Sequence, residues 1–531
     1  MPTLNWIGKE AVVNHHQQVP FHLLKDVPEL ACGNPGEGNL IVRGDNLVAL
    51  KALLPYYAGQ VKCIYIDPPY NTGNESWVYN DNVNSPLIRE WLGKVVGKEG
   101  ETLDRHDRWL CMMYPRLVLL RQFLREDGVI LVSLDDVESG HFRLLLDEVF
   151  GFDNRIATIT WNTRNTDNRI KTKLSPDHEY IFVYGKSIGA AIEGRIIDRS
   201  DFNNPDNDPR GPYVTDPLKG KATVTERPNL HGYCMRQPET DNVWKPDPAK
   251  GWITNQAGYE NLLQDKRIWW PPNPKTGWPR KKRFLSETQE RMPASSFWPE
   301  FKTQSGAREL DEILDERVFA FPKPTSLVQR VISYCAPPGS LVLDSFAGSG
   351  TTGHAVLKQN AEDGGNRRFI LVEMDDHIAR NVTTERVRRV ADGYTNAKGE
   401  QVEGIGGSFR YCELGEPLFD EHGKIRDSVR FADLARHVYF TETGEPLPRE
   451  RVSKSALLGE CRGVGIYLLY NGILGDKSAS GGNVLTRAVL AQLPPFDGPK
   501  VIYCAGCLLG RDRLRAENII VRQTPYEIKI S

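Results

Sequence analysis

The chain of 531 residues carries 67 Lys and Arg against 69 Asp and Glu, which gives a formal net charge of −2. Domains of about 100–200 residues are usual, so this length predicts about three domains. Hydrophobic residues at 40% and charged residues at 26% exclude a collagen-like or wholly disordered chain. Because no run approaches the ~18 apolar residues of a membrane span, and residues 1–10 lack the pattern of a secretory signal, we expect a cytoplasmic protein.

The cysteines and histidines give no pattern typical of a metal site. Nine scattered cysteines, an odd number, favour a reducing compartment over a disulfide framework. Cys504 and Cys507 form the only CxxC pair, and without a second pair or a nearby histidine we interpret them as strand thiols. His106, His178 and His354 lack the spacing of a metal site or a catalytic triad. We therefore expect no bound metal.

Strand and helix patterns alternate through the first third of the chain. Strands are predicted at 39–44, 61–66 and 128–134, and helices at 45–54, 106–127 and 141–150. Residues 156–162 and 179–185 are typical of a pair of strands. This alternation predicts an α/β fold with a doubly wound, mostly parallel sheet.

A long irregular region separates this block from a second one. Residues 187–315 lack periodicity and hold six of the eleven tryptophans. The second block is predicted to contain a helix at 325–335, a strand at 340–345, a helix at 351–359 and a strand at 368–375. After residue 416, strands at 466–471, 500–505 and 517–523 and a helix at 483–493 predict a small appended α/β unit.

The sequence Asp67-Pro68-Pro69-Tyr70 directly follows the predicted strand at 61–66. Ligands of open α/β sheets bind at the carboxyl ends of strands, so this is a suitable place for a site. The two prolines fix φ and remove backbone donors, which leaves a rigid turn. An exocyclic nucleobase amine needs acceptors for its hydrogens before it attacks an electrophile. The Asp67 carboxylate and the Pro68 carbonyl supply two such acceptors, and Tyr70 supplies a flat face for the base.

A glycine-rich turn follows the strand predicted at 340–345. Its sequence, DSFAGSGTT (344–352), allows a tight turn and a close approach of the backbone to a ligand. One strand later, Glu373 ends an apolar run, where an acidic side chain can hold both hydroxyls of a ribose. A dinucleotide site is the rival interpretation. Asp344 before GSGTTG favours a ligand that joins a nucleoside to an amino acid over a pyrophosphate.

The two motifs together resemble a known family. DPPYNTG (67–73) and DSFAGSGTT (344–352) are similar to the catalytic and S-adenosylmethionine (AdoMet) motifs of DNA methyltransferases that methylate amino groups. Their order and the long insert resemble the β-class circular permutation, and most closely the modification subunits of type III restriction–modification systems. The resemblance covers about residues 35–415. Within it, FPKP (321–324) resembles the motif that closes over the methionine end of AdoMet, and GGSFRYCEL (406–414) resembles the end of the domain.

The resemblance implies a circularly permuted, Rossmann-like AdoMet-methyltransferase sheet. It also implies that Gly44-Asp45 holds the adenine amine of AdoMet, although Asp45 is equally suited to cap the helix that follows. The implied catalytic residues are Asp67, Pro68, Pro69 and Tyr70. The implied AdoMet contacts are Asp45, Phe321, Lys323, Pro324, Asp344, Phe346, Gly348, Gly350, Thr351 and Glu373.

Five segments follow from this resemblance. They are an amino-terminal extension (1–34), the catalytic half of the methyltransferase domain (35–186), a target-recognition insert (187–320), the AdoMet-binding half (321–415) and an appended domain (416–531).

The identity of the target base follows from two further features. Methylation of cytosine C5 needs a Pro-Cys nucleophile in this family, and the chain contains no Pro-Cys pair. Family members whose motif begins with Asp mostly methylate adenine N6, so Asp67 favours adenine over the alternative, cytosine N4. A base inside a duplex cannot be reached, so we expect the adenine to be flipped out of the helix at a cost of about a few kcal/mol.

The insert carries a local basic cluster. Residues 266–285 contain seven Lys and Arg, three Trp and no acidic residue. Basic side chains neutralise phosphates and aromatic faces stack on bases, which favours DNA contact over a solvated loop with its tryptophans in a small core. The predicted DNA contacts are Lys266, Arg267, Arg280, Lys281, Lys282 and Arg283.

The expected activity is therefore AdoMet-dependent methylation of adenine N6 in duplex DNA, in a restriction–modification or related defence system. A subunit that binds DNA without catalysis, and a methyltransferase of RNA or protein amides, are the rival interpretations. The chain has no GxxxxGK[ST] phosphate loop, so a separate ATP-dependent restriction subunit would have to supply any ATP-driven step. Duplex DNA, that subunit and a second copy of the chain are the candidate partners, and no membrane is expected.

Overall fold

A computed structural model describes residues 3–34, 38–71, 105–166, 174–396, 398–448, 455–475 and 482–525. The chain divides into two compact units. The larger unit combines Met1–Ile192 with Ser295–Ser531, and the smaller unit is Glu193–Ala294. Among the described helices, none has the length and apolar character needed to cross a lipid bilayer.

The larger unit is built on a sheet of ten strands. In chain order they are β1 (His22–Asp26), β2 (Leu40–Arg43), β3 (Val61–Ile66), β4 (Leu124–Leu134), β5 (Arg155–Asn162), β6 (His178–Gly185), β7 (Phe297–Trp298), β8 (Leu341–Asp344), β9 (Arg368–Glu373) and β10 (Arg410–Pro417). Their order across the sheet is β1-β10-β2-β9-β8-β3-β4-β6-β5-β7.

The centre of this sheet is parallel. The six neighbouring strands β10, β2, β9, β8, β3 and β4 all run in the same direction. β6 pairs antiparallel with both β4 and β5, and β1 pairs antiparallel with β10. The predicted α/β fold with a mostly parallel sheet is confirmed.

Helices cover both faces of the sheet, as the doubly wound prediction requires. They are α1 (Asn46–Tyr57), α2 (Arg105–Phe123), α3 (Asp136–Phe150), α4 (Thr303–Leu314), α5 (Thr325–Cys335), α6 (Thr351–Asp363) and α7 (Thr384–Asp392). Shorter helices span Lys9–Val13, His15–Gln18 and Asp376–Ile378.

Alternation along the strands divides the core into two layers. On β3, Ile64 and Ile66 pack in the cluster that contains α1, α2 and α3. Cys63 and Tyr65 pack in the other cluster, with α5, α6 and α7. Successive side chains of a strand point to opposite faces, so a fully apolar strand such as β3 must be covered on both.

The strand order brings the two blocks of the sequence together. β8 and β9, from the second block, lie between β2 and β3 from the first. Val342 pairs with Cys63 and Leu343 with Ile64, so β3 and β8 are direct parallel neighbours. The turns that follow β3 and β8 therefore leave the sheet at the same edge.

Several helix boundaries differ from their predictions, since α1 continues to Tyr57, α3 begins at Asp136 and α6 continues to Asp363. The helix predicted at 106–127 ends at Phe123, and β4 begins at Leu124. Leu124 pairs with Val61 of β3, so residues 124–127, which the helical pattern had included, belong to strand β4.

The carboxyl-terminal part of the larger unit has a sheet of its own. Its strand order is Leu457–Cys461, Val464–Leu468, Lys500–Cys504 and Ile519–Gln523. The helix predicted at 483–493 is wrong at its start, since Val484–Leu485 forms a strand and Thr486 caps a helix that spans only Arg487–Gln492. Further elements are the helices Phe431–Thr443 and Arg511–Ala516 and the strands Gly393–Thr395, Gln401–Glu403 and Gly506–Cys507.

The smaller unit, Glu193–Ala294, lies inside the insert expected at 187–320. The smaller unit ends before the predicted insert does, because residues 295–320 belong to the larger unit. They form β7, which pairs with β5, and α4, whose apolar side chains pack in the core of the larger unit. The elements of the smaller unit are the strands Arg195–Ile196, Tyr213–Pro217, Met235–Arg236, Val243–Trp244, Ile268–Trp269, Arg280–Phe284 and Arg291–Met292 and the helix Gln256–Gln264.

A buried cation lies in the three-stranded sheet of the smaller unit. Lys282, on the central strand Arg280–Phe284, is 5% exposed. Its Nζ atom pairs with Asp206 and lies 3.0 Å from Oδ2 of Asp208. The Arg210 guanidinium, and then Lys282, hold the pKa of the Asp208 carboxyl well below its usual range. This ion pair is an internal part of the unit.

We expect Lys282→Ala to lower the free energy of unfolding of the smaller unit by about 1–3 kcal/mol, because it leaves Asp206 without its partner and the buried Asp208 with Arg210 alone. Local hydrogen exchange across residues 193–294 measures this loss. Lys281→Ala is the matched control, since Lys281 makes no ion pair with a described side chain, and it should change stability by less than about 0.5 kcal/mol. Equal effects of the two substitutions would contradict an internal role for Lys282.

Candidate functional site

Four predicted site residues follow neighbouring strands of the large sheet. Asp45 follows β2, Glu373 ends β9, Asp344 ends β8 and Asp67 follows β3. The carboxyl ends of these parallel strands meet at one edge, so the structure brings together residues that are far apart in the sequence.

A cavity of about 330 Å³ opens at this edge. The lining comes from β3 and its turn, from the segment before α5 and from the glycine-rich turn, and consists of Tyr65, Asp67, Phe319, Phe321, Pro322, Lys323, Asp344, Phe346, Ala347, Gly348, Ser349, Thr351 and Thr352.

A buried ion pair joins the two halves of the site. Nζ of Lys323 lies 2.9 Å from Oδ2 of Asp67 and 3.7 Å from Oε2 of Glu179. It also lies 4.7 Å from the centre of the Tyr70 ring. Burial by itself lowers the pKa of Lys323, but the two carboxylates outweigh it, so the pKa is raised and the side chain stays charged.

Glu179 belongs to this cluster and was missed by the sequence analysis. Oε2 of Glu179 accepts a hydrogen bond of 3.0 Å from the Tyr70 hydroxyl. Burial raises the pKa of the Glu179 carboxyl, and the Lys323 ammonium opposes that rise. β6 is antiparallel to β4, so its first residues lie at the edge where the parallel strands end. A polar residue at the start of the apolar run 179–185 was the available signal.

The turn that begins at Asp67 is held rigidly. The indole nitrogen of Trp109, on α2, donates a hydrogen bond of 2.6 Å to the Pro69 carbonyl. Oδ1 of Asp67 is buried and accepts no hydrogen bond from the described residues. The carboxylate thus has one oxygen paired with Lys323 and one oxygen open to a further donor. Residues 72 and 73 of the motif lie outside the described residues.

The glycine-rich turn is closed by its own aspartate. Oδ1 of Asp344 accepts a 3.0 Å hydrogen bond from the Phe346 amide, and Oδ2 accepts a 2.5 Å bond from the Thr352 hydroxyl. Burial raises the pKa of Asp344 to about 7, against these hydrogen bonds. Gly350 adopts a φ of +76°, and a Cβ there would lie 3.0 Å from the Thr383 carbonyl oxygen. This position therefore requires glycine.

Glu373 contacts the same turn. Its Oε2 accepts a 2.9 Å hydrogen bond from the Gly348 amide, and its Oε1 accepts one of 2.9 Å from the Asp375 amide. Burial raises the pKa of Glu373 to about 8. Glu373 does not contribute to the lining of the cavity described above. Its carboxylate orders the turn, and its predicted contact with a ribose stays a prediction.

Asp45 forms the helix cap that the sequence analysis left open. Its Oδ1 accepts hydrogen bonds of 2.9 and 3.2 Å from the amides of Leu47 and Val48 at the start of α1. Oδ2 pairs with the buried Arg116 guanidinium at 3.1 Å. A cap and a ligand contact can coexist on one carboxylate, so the contact with an adenine amine stays a prediction.

A second residue missed by the sequence analysis lies behind the turn. The buried Arg386 guanidinium, on α7, donates hydrogen bonds to the hydroxyls of Ser349 (3.0 Å), Thr351 (2.8 Å) and Thr325 (2.9 Å). Burial lowers the pKa of Arg386 to about 10, against the attraction of Glu309. Arg386 thereby ties the turn to the start of α5, which directly follows the FPKP segment.

The FPKP segment lines the cavity through three of its residues. Phe321 is 42% exposed and adopts a φ of +56°, a strained conformation for an aromatic residue. Pro322 and Lys323 also line the cavity, and Pro324 lies at the amino terminus of α5.

The six cations predicted to contact DNA lie in the smaller unit and differ in how they are paired. Lys282 is neutralised as described above. Arg267 makes two hydrogen bonds with Glu287, of 2.5 and 2.9 Å, and Arg283 makes two with Asp216, of 2.9 and 3.2 Å. The segment 266–285 contains no acid, but other segments of the fold supply its counter-charges.

The remaining three cations have no ion pair among the described side chains. The Arg280 guanidinium donates to the Thr215 hydroxyl at 2.7 Å and to the Thr215 carbonyl at 2.6 Å. Lys266 is exposed and Lys281 is half-buried. Two of the aromatic side chains nearby are packed internally, since Trp270 stacks on Trp244 with ring centres 5.3 Å apart.

The known proteins that this chain resembles in sequence are modification subunits and methyltransferases of restriction–modification enzymes. The chain is 30% identical over 386 residues to the type III restriction–modification enzyme StyLTI Mod subunit of Salmonella typhimurium, covering 67% of this chain and 58% of that one. It is 32% identical to the EcoPI Mod subunit of Escherichia phage P1, covering 71% and 64%. It is 30% identical to the type II methyltransferase M.KpnI of Klebsiella pneumoniae, covering 68% and 89%.

The chain thus spans less than two thirds of the length of the two Mod subunits and most of the length of M.KpnI. A family described as DNA methylase, of the N6 and N4 methyltransferases, matches residues 61–384. This match begins at β3, ends at the start of α7 and includes every residue that lines the cavity. The chain belongs to the DNA methylase family of N6 and N4 methyltransferases.

Proposed function

We propose that the chain is a site-specific DNA methyltransferase that transfers a methyl group from AdoMet to N6 of adenine in duplex DNA, as part of a restriction–modification system. One observation carries the proposal. A buried carboxylate with an open oxygen, on Asp67, lines the same cavity as the glycine-rich turn that begins at Asp344. An acceptor for an amine and a cradle for a nucleoside ligand thus share one space.

The residues present fit AdoMet. The backbone of the turn at Gly348 and Gly350, where both φ angles are positive, allows a close approach, and Gly348 lines the cavity. AdoMet, when bound, supplies a methyl group on a positively charged sulfonium. Burial raises the pKa values of Asp344 and Glu373, and a bound cation would lower them again by favouring the ionised carboxylates. Phe321, Lys323 and Pro324 would border the methionine end of the ligand, and Asp45 its adenine.

The described side chains also suggest how the target amine is held. Oδ1 of Asp67 is the open acceptor for one hydrogen of the amine, while Lys323 holds Oδ2 and keeps the carboxylate in place. The Pro68 carbonyl is the second acceptor in the proposal. Lys323 covers one face of the Tyr70 ring, so a flipped base would stack on the opposite face. Positioning of this kind lowers the barrier by holding the reacting atoms in line.

The family includes methyltransferases of both amine types, so the choice of adenine is the finer part of the proposal. It is supported by Asp at the first position of the DPPY motif, by which the resemblance favours adenine. Detection of modified bases in the DNA of a host that expresses the chain distinguishes N6-methyladenine from N4-methylcytosine. Modified cytosine would overturn the adenine assignment and leave the methyltransferase activity standing.

We further propose that the smaller unit, with its basic strand Arg280–Phe284, recognises the target sequence. Of the six cations predicted to contact DNA, pairing within the unit leaves Lys266, Lys281 and Arg280 without a carboxylate partner among the described residues. Two of the relatives reported above are Mod subunits of type III enzymes, which supports a separate restriction subunit as a partner. A second copy of the chain is a further candidate partner.

Substitution of Asp67 tests whether catalysis and AdoMet binding depend on different residues of the site. We expect Asp67→Ala to abolish methylation while the affinity for AdoMet stays within a few fold, because the cofactor is held mainly by the 344–352 turn. Asp67→Asn, which keeps the size of the side chain, should lower kcat by about 10²-fold or more, the usual effect of losing one well-placed polar partner. Methyl transfer from labelled AdoMet and equilibrium binding measure the two effects. An equal loss of AdoMet affinity and of methylation activity would contradict this separation of roles.

The role of the Tyr70 ring is separable from that of its hydroxyl. Tyr70→Ala should be more damaging than Tyr70→Phe, since a stacked aromatic ring contributes about 1–3 kcal/mol per base. Tyr70→Phe removes the hydrogen bond to Glu179, and Glu179→Gln is the matched control that keeps the ring and alters the acceptor. Single-turnover methylation rates compare the three variants. Equal inactivity of Phe and Ala would show that the hydroxyl, rather than the ring, is required.

The salt dependence of DNA binding tests the smaller unit. Lys266→Ala with Lys281→Ala should weaken DNA binding and lower the slope of log K against log salt by up to about 1.8, at about 0.9 per phosphate contact. Arg267→Ala with Arg283→Ala is the control of equal charge, and it should change the slope less because Glu287 and Asp216 already pair with these cations. An unchanged slope and affinity for the lysine variant would exclude this surface from DNA binding.

A further inference from the structure

Three potential metal ligands meet between α2 and α3. Nδ1 of His106 lies 2.7 Å from Oε1 of Glu138, and Nδ1 of His141 lies 3.1 Å from Oε2 of the same carboxylate. The ligand atoms of all three residues lie within 4.8 Å of one another. His106 is at the start of α2, and Glu138 and His141 are three residues apart on α3.

The cluster is accessible on one side and buried on the other. The Glu138 side chain has no exposed surface, whereas those of His106 and His141 are 34% and 45% exposed. An ion can therefore enter between the imidazoles and reach a fixed, fully buried carboxylate. A buried carboxylate needs strong partners, and a metal ion is among the strongest.

Asn71 adds an independent observation beside the carboxylate. The Asn71 amide nitrogen donates a hydrogen bond to Oε1 of Glu138 and another, of 3.1 Å, to the Arg105 carbonyl. The residue is completely buried, and its Oδ1 accepts no hydrogen bond from the described residues. An oxygen acceptor therefore remains next to the cluster, where a metal-bound water would find a partner.

We propose that His106, Glu138 and His141 bind one divalent transition-metal ion, for which Zn²⁺ is the best match. Two imidazole nitrogens and one carboxylate oxygen form a donor set that Zn²⁺ accepts, with a water at the fourth position. Mg²⁺ and Ca²⁺ instead prefer sites made of oxygen ligands. Bonds of about 2.0–2.2 Å in a tetrahedral site require ligand atoms about 3.3–3.6 Å apart, so the contacts of Glu138 with His106 (2.7 Å) and with His141 (3.1 Å) would open by about 0.2–0.9 Å.

The ion would tie three segments together. It would link the start of α2 to α3 and, through the bond between Asn71 and Glu138, to the residue that directly follows Tyr70. This role is structural, and it does not depend on the methyltransferase proposal. The sequence analysis expected no metal, because His106 lies far from Glu138 and His141 along the chain and only the fold brings them together.

Zinc binding to the full-length protein tests the proposal. The chain is stripped with a chelator, dialysed and titrated with Zn²⁺ by calorimetry, and we expect one ion per chain. His141→Ala and, separately, His106→Ala should weaken this binding by more than about tenfold, since even outer partners of a metal site contribute that much. Both side chains are partly exposed, so the variants should keep the circular dichroism of the parent. His422→Ala, at an exposed histidine of a turn, is the matched control and should bind Zn²⁺ as the parent does.

X-ray absorption at the zinc edge identifies the ligands. We expect only nitrogen and oxygen atoms as neighbours of the zinc ion. The spectrum of the parent should contain the scattering of two imidazoles, and this contribution should be smaller in either histidine variant. Sulfur neighbours would assign the ion to cysteines such as Cys504 and Cys507 and would overturn the proposal. So would equal affinities of the parent and both histidine variants, or the absence of binding to the folded parent protein.

Discussion

The buried ion pair between Lys323 and Asp67 is the interaction on which the rest of the site depends. It joins the turn after β3 to the segment before α5, and these lie in the two separate blocks of the sequence. Removal of one partner of a buried pair leaves an uncompensated charge, at a cost of about 3–5 kcal/mol. The parallel pairing of β3 with β8 brings the turn after β3 beside the glycine-rich turn, and the Thr351 hydroxyl of that turn donates a 3.3 Å hydrogen bond to the Lys323 carbonyl.

Acidic groups outnumber cations at this edge. Asp67, Glu179, Asp344 and Glu373 are all largely buried there, and Lys323 is the one cation among the residues that line the cavity. Burial raises the pKa values of the last three carboxyls, so these groups hold their protons more readily until a positive charge is placed beside them and favours their ionisation. Such a site favours a positively charged ligand and an amine that donates hydrogens, which is the pair of reactants that the proposed reaction requires.

The features that sequence analysis predicted are those in which neighbouring residues determine the structure. The apolar run of β3 and the glycine turn at 344–352 are local patterns, and the structure confirms the strands and the parallel sheet that they implied. Glu179 and Arg386 were missed because their roles arise from strand order and helix packing. The cluster around Glu138 was missed for the same reason, since His106 reaches it only across two packed helices.

The basic segment 266–285 shows how far a local count of charge can mislead. Its sequence contains no acid, yet Asp206, Asp208, Asp216 and Glu287 fold back on it and neutralise three of the six predicted cations. A strand exposes its two faces to different neighbours, so adjacent residues such as Lys281 and Lys282 have opposite environments. An unpaired cation can release counterions from a phosphate, whereas a paired one must first break its own bond. The contribution of this strand to DNA binding is therefore set by the cations that the fold leaves unpaired.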